Sequence, residues 1–253
     1  MNIVVLGTAG CGKSSLTGEF GKYLIDHGYD VKFLNLDPGC LSLPYRCDFD
    51  IRDFFTVENI MGREGLGPSG AMLRAMEYLS ETAIPSYGGD FILIDTPGQL
   101  EVFVFHKSGP KIIGQLVDIV GLFIIDASVG VEGLPALYLY SLVTGFRLGI
   151  NIVNIVNKVD LLDVGDIELF KNYLSNPASL KGELKFEGVL SDVYHPLSDL
   201  LQRIVPAQRV PFVSAKTGVG FDELLDILHE SKCVCGDLTL RNIEDPNSFS
   251  LYI

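Results

Sequence analysis

The sequence predicts an α/β domain with a predominantly parallel central sheet flanked by helices. Three observations carry that expectation. A short apolar strand, Met1 to Leu6, runs through a glycine-rich turn into a helical pattern. Further apolar runs of strand length, Val31–Leu36, Asp90–Asp95, Gly121–Ile125 and Ile150–Val156, alternate with helical segments, the pattern of a parallel sheet. Two of these runs end on a carboxylate, Asp37 or Asp95, at the strand ends where open α/β sheets place their ligands, and the run Gly121–Ile125 ends at Asp126.

The turn Gly7-Thr-Ala-Gly-Cys-Gly-Lys-Ser14 has the spacing of a P-loop, and with a strand before it and a helix after it the chain reads as a P-loop NTPase. Glycines let the backbone curl until several N–H groups face one phosphate chain. Gly10, Cys11 and Gly12 are therefore expected to bind nucleotide phosphate together with Lys13, Ser14 and Ser15. Lys13 reaches toward the β- and γ-phosphates, the Ser14 hydroxyl binds Mg²⁺, and the helix adds its positive N-terminal end. Leu16, Phe20 and Leu24 share one face of that helix, and Gly28 stops it.

Next in order, Val31–Leu36 delivers Asp37-Pro-Gly39. Asp37 is expected to hold Mg²⁺ or orient the attacking water; a turn-forming Asp before Pro-Gly is the other reading. Cys40 to Asp53 reads as irregular surface chain, with Arg52 solvated or ion-paired and Cys40 and Cys47 as free thiols. Thr56 is placed to cap a short helix running to about Met61. Gly65-Leu-Gly-Pro-Ser-Gly70 opens a helix with Ser69 as its N-cap and Met72, Leu73, Met76 and Leu79 on one face.

The strand Asp90–Asp95 ends on Asp95-Thr-Pro-Gly-Gln99. A carboxylate there holds Mg²⁺, partly through water, and Gly98 presents its N–H to a γ-phosphate. Gln99 is placed to orient hydrolytic water, with Glu101 sharing that role; plain surface positions are the alternative for both. His106 reads as a structural histidine. Leu134 to Leu148, with Tyr138, Tyr140 and Phe146, reads as a helix apolar all round, buried in the core or in a subunit contact.

Ile150–Val156 delivers Asn157-Lys-Val-Asp160, a base-reading motif. The Asp160 carboxylate can accept the two N–H groups of guanine's Watson–Crick edge, a pair that adenine does not offer. Asn157 can bond the base and the loop, and the Lys158 stem can cover the ring face. A sixth strand, Val210–Val213, ends in Ser214-Ala-Lys216, where the Ala215 N–H suits guanine O6.

Residues 161–209 read as a mostly helical insertion, Phe221–Leu228 as a closing helix, and residues 240–253 as a tail beyond a single domain of residues 1–239. Cys233 and Cys235 read as spare thiols. The net charge of -13 argues against direct nucleic-acid binding. Five cysteines in 253 residues suit free thiols in a reducing compartment. Asp126, Glu132 and Arg147 interrupt the apolar region 121–156, and the run before Cys11 is too short for a signal core, so no membrane span is expected and the location expected is cytoplasmic.

Taken together, Gly7–Ser14, Asp37-Pro-Gly, Gly67-Pro-Ser-Gly70, Asp95-Thr-Pro-Gly-Gln99, Asn157-Lys-Val-Asp160 and Ser214-Ala-Lys216 resemble the GPN-loop GTPases, from about Met1 to Thr239. The resemblance implies a homodimeric, or related heterodimeric, GTPase of the signal-recognition-particle and MinD-like class, using GTP/GDP and Mg²⁺. It implies that the loop Gly67, Pro68 and Ser69 reaches across the dimer toward the partner's γ-phosphate and water. It also implies that Asp37, Gln99 and Glu101 handle water beside the metal, and, by analogy with eukaryotic members, a partner related to RNA polymerase assembly. The family's Asn is Ser69 here. If the loop acts through its backbone, Ser serves; if it needs the side-chain amide, hydrolysis is impaired.

The activity expected is slow GTP hydrolysis by an assembly factor or switch. Two rival readings stand beside it. A P-loop kinase would need an Arg-bearing lid, and the insertion carries only Arg203 and Arg209. A nucleotide-binding scaffold would bind without turnover.

Overall fold

The computed structural model describes residues 1–176, 196–197, 199–201, 203 and 209–241. Its centre is a six-stranded sheet built from β1 (Asn2–Gly7), β2 (Val31–Asn35), β3 (Phe49–Asp50), β4 (Phe91–Asp95), β5 (Ile119–Asp126) and β6 (Ile152–Asn157). The order across the sheet is β3-β2-β4-β1-β5-β6, and every pairing is parallel. The strands are runs of Val, Ile, Leu and Phe because both faces of such a sheet are covered.

Helices α1 (Lys13–Asp26) and α8 (Phe221–Arg241) cover one face. There Leu16, Phe20 and Leu24 pack with Phe221, Leu224 and Leu228, and the Phe20 and Phe221 rings meet edge to face at 5.3 Å. The other face carries α3 (Pro68–Glu81), α4 (Leu100–Phe105), α5 (Ser108–Ile113) and α6 (Gly130–Leu148), with Met72, Met76, Phe103, Ile112 and Leu134 in its core. Helices α2 (Val57–Glu64) and α7 (Val164–Ser175) are also present.

Each strand hands its carboxyl end to one edge of the sheet. Because the strands run parallel, the P-loop after β1, Asp37 after β2, Asp95-Thr-Pro-Gly after β4, Asp126 at the end of β5 and Asn157 at the end of β6 gather there.

The structure corrects several expectations. The segment 40–53 is not wholly irregular: Phe49–Asp50 forms the edge strand β3, paired with Leu34 and Asn35. Ser69 is not the N-cap of α3. Gly67 caps it and Pro68 takes the first helical position, where its missing N–H costs nothing and its fixed φ suits the helix. Leu73, about 100° around the helix from Met72, faces outward, while Ala71 and Ala75 join Met72, Met76 and Leu79 in the core. The expected sixth strand reduces to a single parallel bridge between Phe212 and Val156, held by bonds from Val156 N to Pro211 O and from Val213 N to Val156 O.

The Thr56 cap is present, accepting from the Asn59 N–H. The apolar helix α6 begins at Gly130 and buries Leu134, Tyr138 and Leu148 against the sheet, but it leaves Phe146 85% exposed. His106 pairs locally with Ser108. Cys11, Cys40 and Cys47 are free thiols. Cys233 and Cys235, the end of the tail and most of the proposed insertion lie outside the described side chains.

Candidate active site

The phosphate end is built by the turn between β1 and α1. Gly12 takes φ 98°, and a Cβ there would come within 2.7 Å of the Asn157 amide nitrogen, so the turn admits no side chain at that position. Lys13 is 6% exposed. Its ammonium donates to Gly7 O at 2.8 Å and Thr8 O at 3.1 Å, and reaches Gly98 O at 3.5 Å, spanning from its own loop to the turn after β4. The Cys11 thiol is buried under the loop, and burial pushes its pKa up to about 11, so it stays neutral. What Cys11 offers is backbone.

Two strand-end carboxylates stand beside the loop. Asp37 accepts from Gly39 N at 2.8 Å and from Gly98 N at 2.9 Å. Burial raises its pKa against the pull of those two bonds and of Lys13. The Gly98 N–H expected to face a γ-phosphate is thus occupied by a carboxylate of the protein itself. Asp95 is buried, and its Oδ2 accepts from the Tyr45 hydroxyl at 3.0 Å. Burial pushes the Asp95 pKa up to about 6, opposed by Ser14 and Tyr45 and reinforced by the charge of Asp37. Its Oδ1 is buried with no hydrogen-bond partner among the described residues. An orphaned carboxylate oxygen beside the Ser14 hydroxyl is the donor set that a hard divalent cation satisfies, so these residues fit Mg²⁺.

Gly67, Pro68 and Ser69 are exposed. Pro68 and Gln99 line one cavity of about 720 Å³ together with Pro38, Gly39 and Arg52. The Arg52 guanidinium is committed: it grips Asp50, with Nη2 to Oδ2 at 2.6 Å, and donates to the Cys40 carbonyl at 3.2 Å. Glu101 lies apart from that cavity, on the first turn of α4 beside Tyr140 of α6.

The end expected to take the base is a cavity of about 540 Å³ between the P-loop and the strand-end loops. Gly12, Ser15, Asn157, Lys158, Asp160 and Ala215 are among its walls, and the exposed Lys216 lies at its rim. Asn157 is buried and binds two loops together: its Nδ2 donates to Cys11 O at 3.0 Å and its Oδ1 accepts from Ala215 N at 3.1 Å. The amide expected to touch the base is thus engaged with protein, as is the Ala215 N–H expected to meet O6. Ser214 donates its hydroxyl to Asp160 Oδ1 at 2.6 Å, orienting an exposed carboxylate on the cavity wall.

Comparison with known proteins agrees with this geometry. A family model described as "Conserved hypothetical ATP binding protein" matches residues 5–234. A GPN-loop GTPase of Pyrococcus abyssi is 37% identical over 94% of this chain and 100% of its own length. The chain belongs to the GPN-loop GTPase family. A GPN-loop GTPase of Arabidopsis thaliana is 30% identical over 70% of each chain. A crystal structure described as a GTPase in apo form from Pyrococcus abyssi superposes with a TM-score of 0.81 at 36% identity, covering 93% of this chain and 98% of that one.

Within this GPN-loop GTPase, two site residues escaped the sequence reading. Tyr45, on the segment read as irregular, reaches Asp95, and Gly18 on α1 leaves the space that Pro44 and Tyr45 fill. No local pattern announces that long-range contact. Asp126 binds Lys158. Its position at a strand end was the available signal, since the same rule singled out Asp37 and Asp95.

Proposed function

We propose that this GPN-loop GTPase binds GTP with Mg²⁺ and hydrolyses it slowly, as a cytoplasmic, homodimeric switch or assembly factor. The observation that carries the guanine reading is the single cavity walled by both Gly12 and Ser15 of the P-loop and the Ser214-oriented carboxylate of Asp160. Asp160 accepts the N1–H and N2–H of guanine; adenine would leave that carboxylate without donors.

Catalysis is positioning plus electrostatics, with no covalent protein intermediate. Lys13 stabilises charge on the β- and γ-phosphates. Ser14 and Asp95, with Asp37 nearby, would hold Mg²⁺, which supplies further neutralisation of phosphate charge. Gln99, on the cavity shared with Pro68, places the attacking water, and Asp37 supports it once Gly98 N–H turns to the γ-phosphate. Gly67, Pro68 and Ser69 serve the partner subunit's site. A partner related to polymerase assembly remains a family analogy.

The test is phosphate release from GTP and from ATP by the purified protein with Mg²⁺. Release from GTP alone is expected; equal use of ATP overturns the role of Asp160. Gln99→Leu is expected to keep GTP affinity and lower the hydrolysis rate, and an unchanged rate removes Gln99 from catalysis. One observation favours a second reading, a nucleotide-binding scaffold: Ser69 stands where the family motif has Asn. Turnover by Ser69→Asn but not by the wild type would establish it.

A further inference from the structure

Asp126 ends β5 directly beside Asn157, its register partner on β6. It is 8% exposed, and both of its carboxylate oxygens are engaged. Oδ1 accepts from the Ser128 N–H at 2.9 Å and the Ser128 hydroxyl at 2.7 Å, capping the short turn Ala127–Val129. Oδ2 accepts from the Lys158 ammonium at 2.6 Å. Burial alone would raise the Asp126 pKa, but the bonds from Lys158 and Ser128 outweigh it and hold the carboxyl below its ordinary range.

Lys158 is unusual at its other end too. Its backbone has φ 66°, the left-handed region that a residue with a side chain enters only under constraint. Its ammonium makes a second bond, to Gly10 O of the P-loop at 2.8 Å. The side chain is therefore fixed at both ends, and Lys158 lines the base cavity between those fixed points. A lysine left to itself on a rim, with four rotatable bonds, would have to be ordered each time nucleotide bound.

We infer that Asp126 is a positioning residue for base recognition: by tying the Lys158 ammonium back against the P-loop, it sets the Lys158 stem as a ready-made wall of the base pocket. It raises the affinity for guanine nucleotides without touching them. The inference rests on the guanine reading of this cavity. It acts on the base and not on the phosphates, so it distinguishes itself from the Lys13 and Asp95 end of the site. The two oxygens of Asp126 also do separable jobs: Oδ1 caps the turn and Oδ2 holds Lys158.

The experiment is calorimetric titration with GDP of the wild type, Asp126→Asn, Lys158→Met and the double variant. Asn keeps an acceptor for Ser128 and removes the charge facing Lys158. Losing a charge-assisted bond of this kind is expected to weaken GDP about tenfold in Asp126→Asn. GTP should weaken by the same factor. Pyrophosphate binding and the turnover number at saturating GTP should stay unchanged, which a general loosening of the fold would not allow. In the Lys158→Met background, Asp126→Asn should have no further effect on GDP. GDP affinity of Asp126→Asn within about twofold of wild type, or an undiminished loss in the Lys158→Met background, overturns the inference. If Asp126→Asn does not fold cooperatively, Asp126→Ser, whose hydroxyl can still cap the turn, is held to the same results. Failure of the wild type to bind GDP at all would be a different result: it would sink the guanine reading itself, and this inference with it.

Discussion

The two ends of the site are finished to different degrees. At the base end, the working side chains are already tied to protein: Asn157 to Cys11 and Ala215, Lys158 to Gly10 and Asp126, and Asp160 to Ser214. At the phosphate end, protein groups stand in for a ligand. Asp37 occupies the Gly98 N–H, Lys13 rests on backbone carbonyls, and one oxygen of Asp95 has no partner among the described residues. On the proposed reading, the difference teaches that guanine recognition is preorganised, whereas phosphate recognition requires existing bonds to be exchanged. A ligand gains most where it does not have to order what it touches.

Four changes would break or sharpen this contrast. The largest effect belongs to the phosphate end. Lys13→Ala removes a buried cation beside the loop and is expected to lower GTP turnover about 100-fold to 1,000-fold, read by phosphate release. A mild loss would mean that the phosphates do not lie against Lys13.

Next comes the buried carboxylate. Asp95 has its pKa pushed up to about 6 in the fold, against about 3.9 unfolded. The folded state therefore binds that proton more tightly, and stability from this group is full below about pH 4 and lost as pH rises through about 6. Without nucleotide or metal, Asp95→Asn is expected to unfold later than wild type at neutral pH, by about 3 kcal/mol, and to converge with it below about pH 4. Thermal unfolding across pH reads this; parallel curves would contradict it.

At the base end, Asp160→Asn is expected to weaken GDP by roughly 10-fold to 100-fold, the loss of a charge-assisted pair. It should gain affinity for a xanthine nucleotide, whose 2-oxo group can accept from the new amide. Equal binding of GDP by both forms would move the base elsewhere. The smallest effect is expected at Thr56→Ala, which removes the cap of α2 on the wall of the phosphate-side cavity. It should cost about 1 kcal/mol in denaturant unfolding and leave turnover unchanged; an altered turnover would tie α2 to the chemistry.

Most of this architecture was legible in the residues. Apolar runs ending in Asp37, Asp95 and Asn157 announced a parallel sheet and its ligand edge, because strand burial and loop chemistry both leave local patterns. The P-loop was legible because its glycines answer a backbone requirement. Harder to read was whatever depended on contact across the chain. Phe49–Asp50 becomes a strand only because β2 lies beside it. Tyr45 matters only because α1 carries Gly18 where Pro44 and Tyr45 pass. Ser69 was misplaced by one local rule, the capping preference of serine, against another, the preference of proline for the first helical position. The engagement of Gly98 by Asp37 could not be read at all, since it joins two loops 61 residues apart.

The most direct test of the contrast is a structure of the protein bound to Mg²⁺ and a non-hydrolysable GTP analogue. The Gly98 N to Asp37 Oδ2 separation, 2.9 Å here, is expected to open beyond hydrogen-bonding distance, with the γ-phosphate accepting from Gly98. The Asn157–Ala215 and Lys158–Asp126 bonds should stay in place. An intact Asp37–Gly98 bond beneath a bound analogue, or a base end that rearranges to admit guanine, would contradict it.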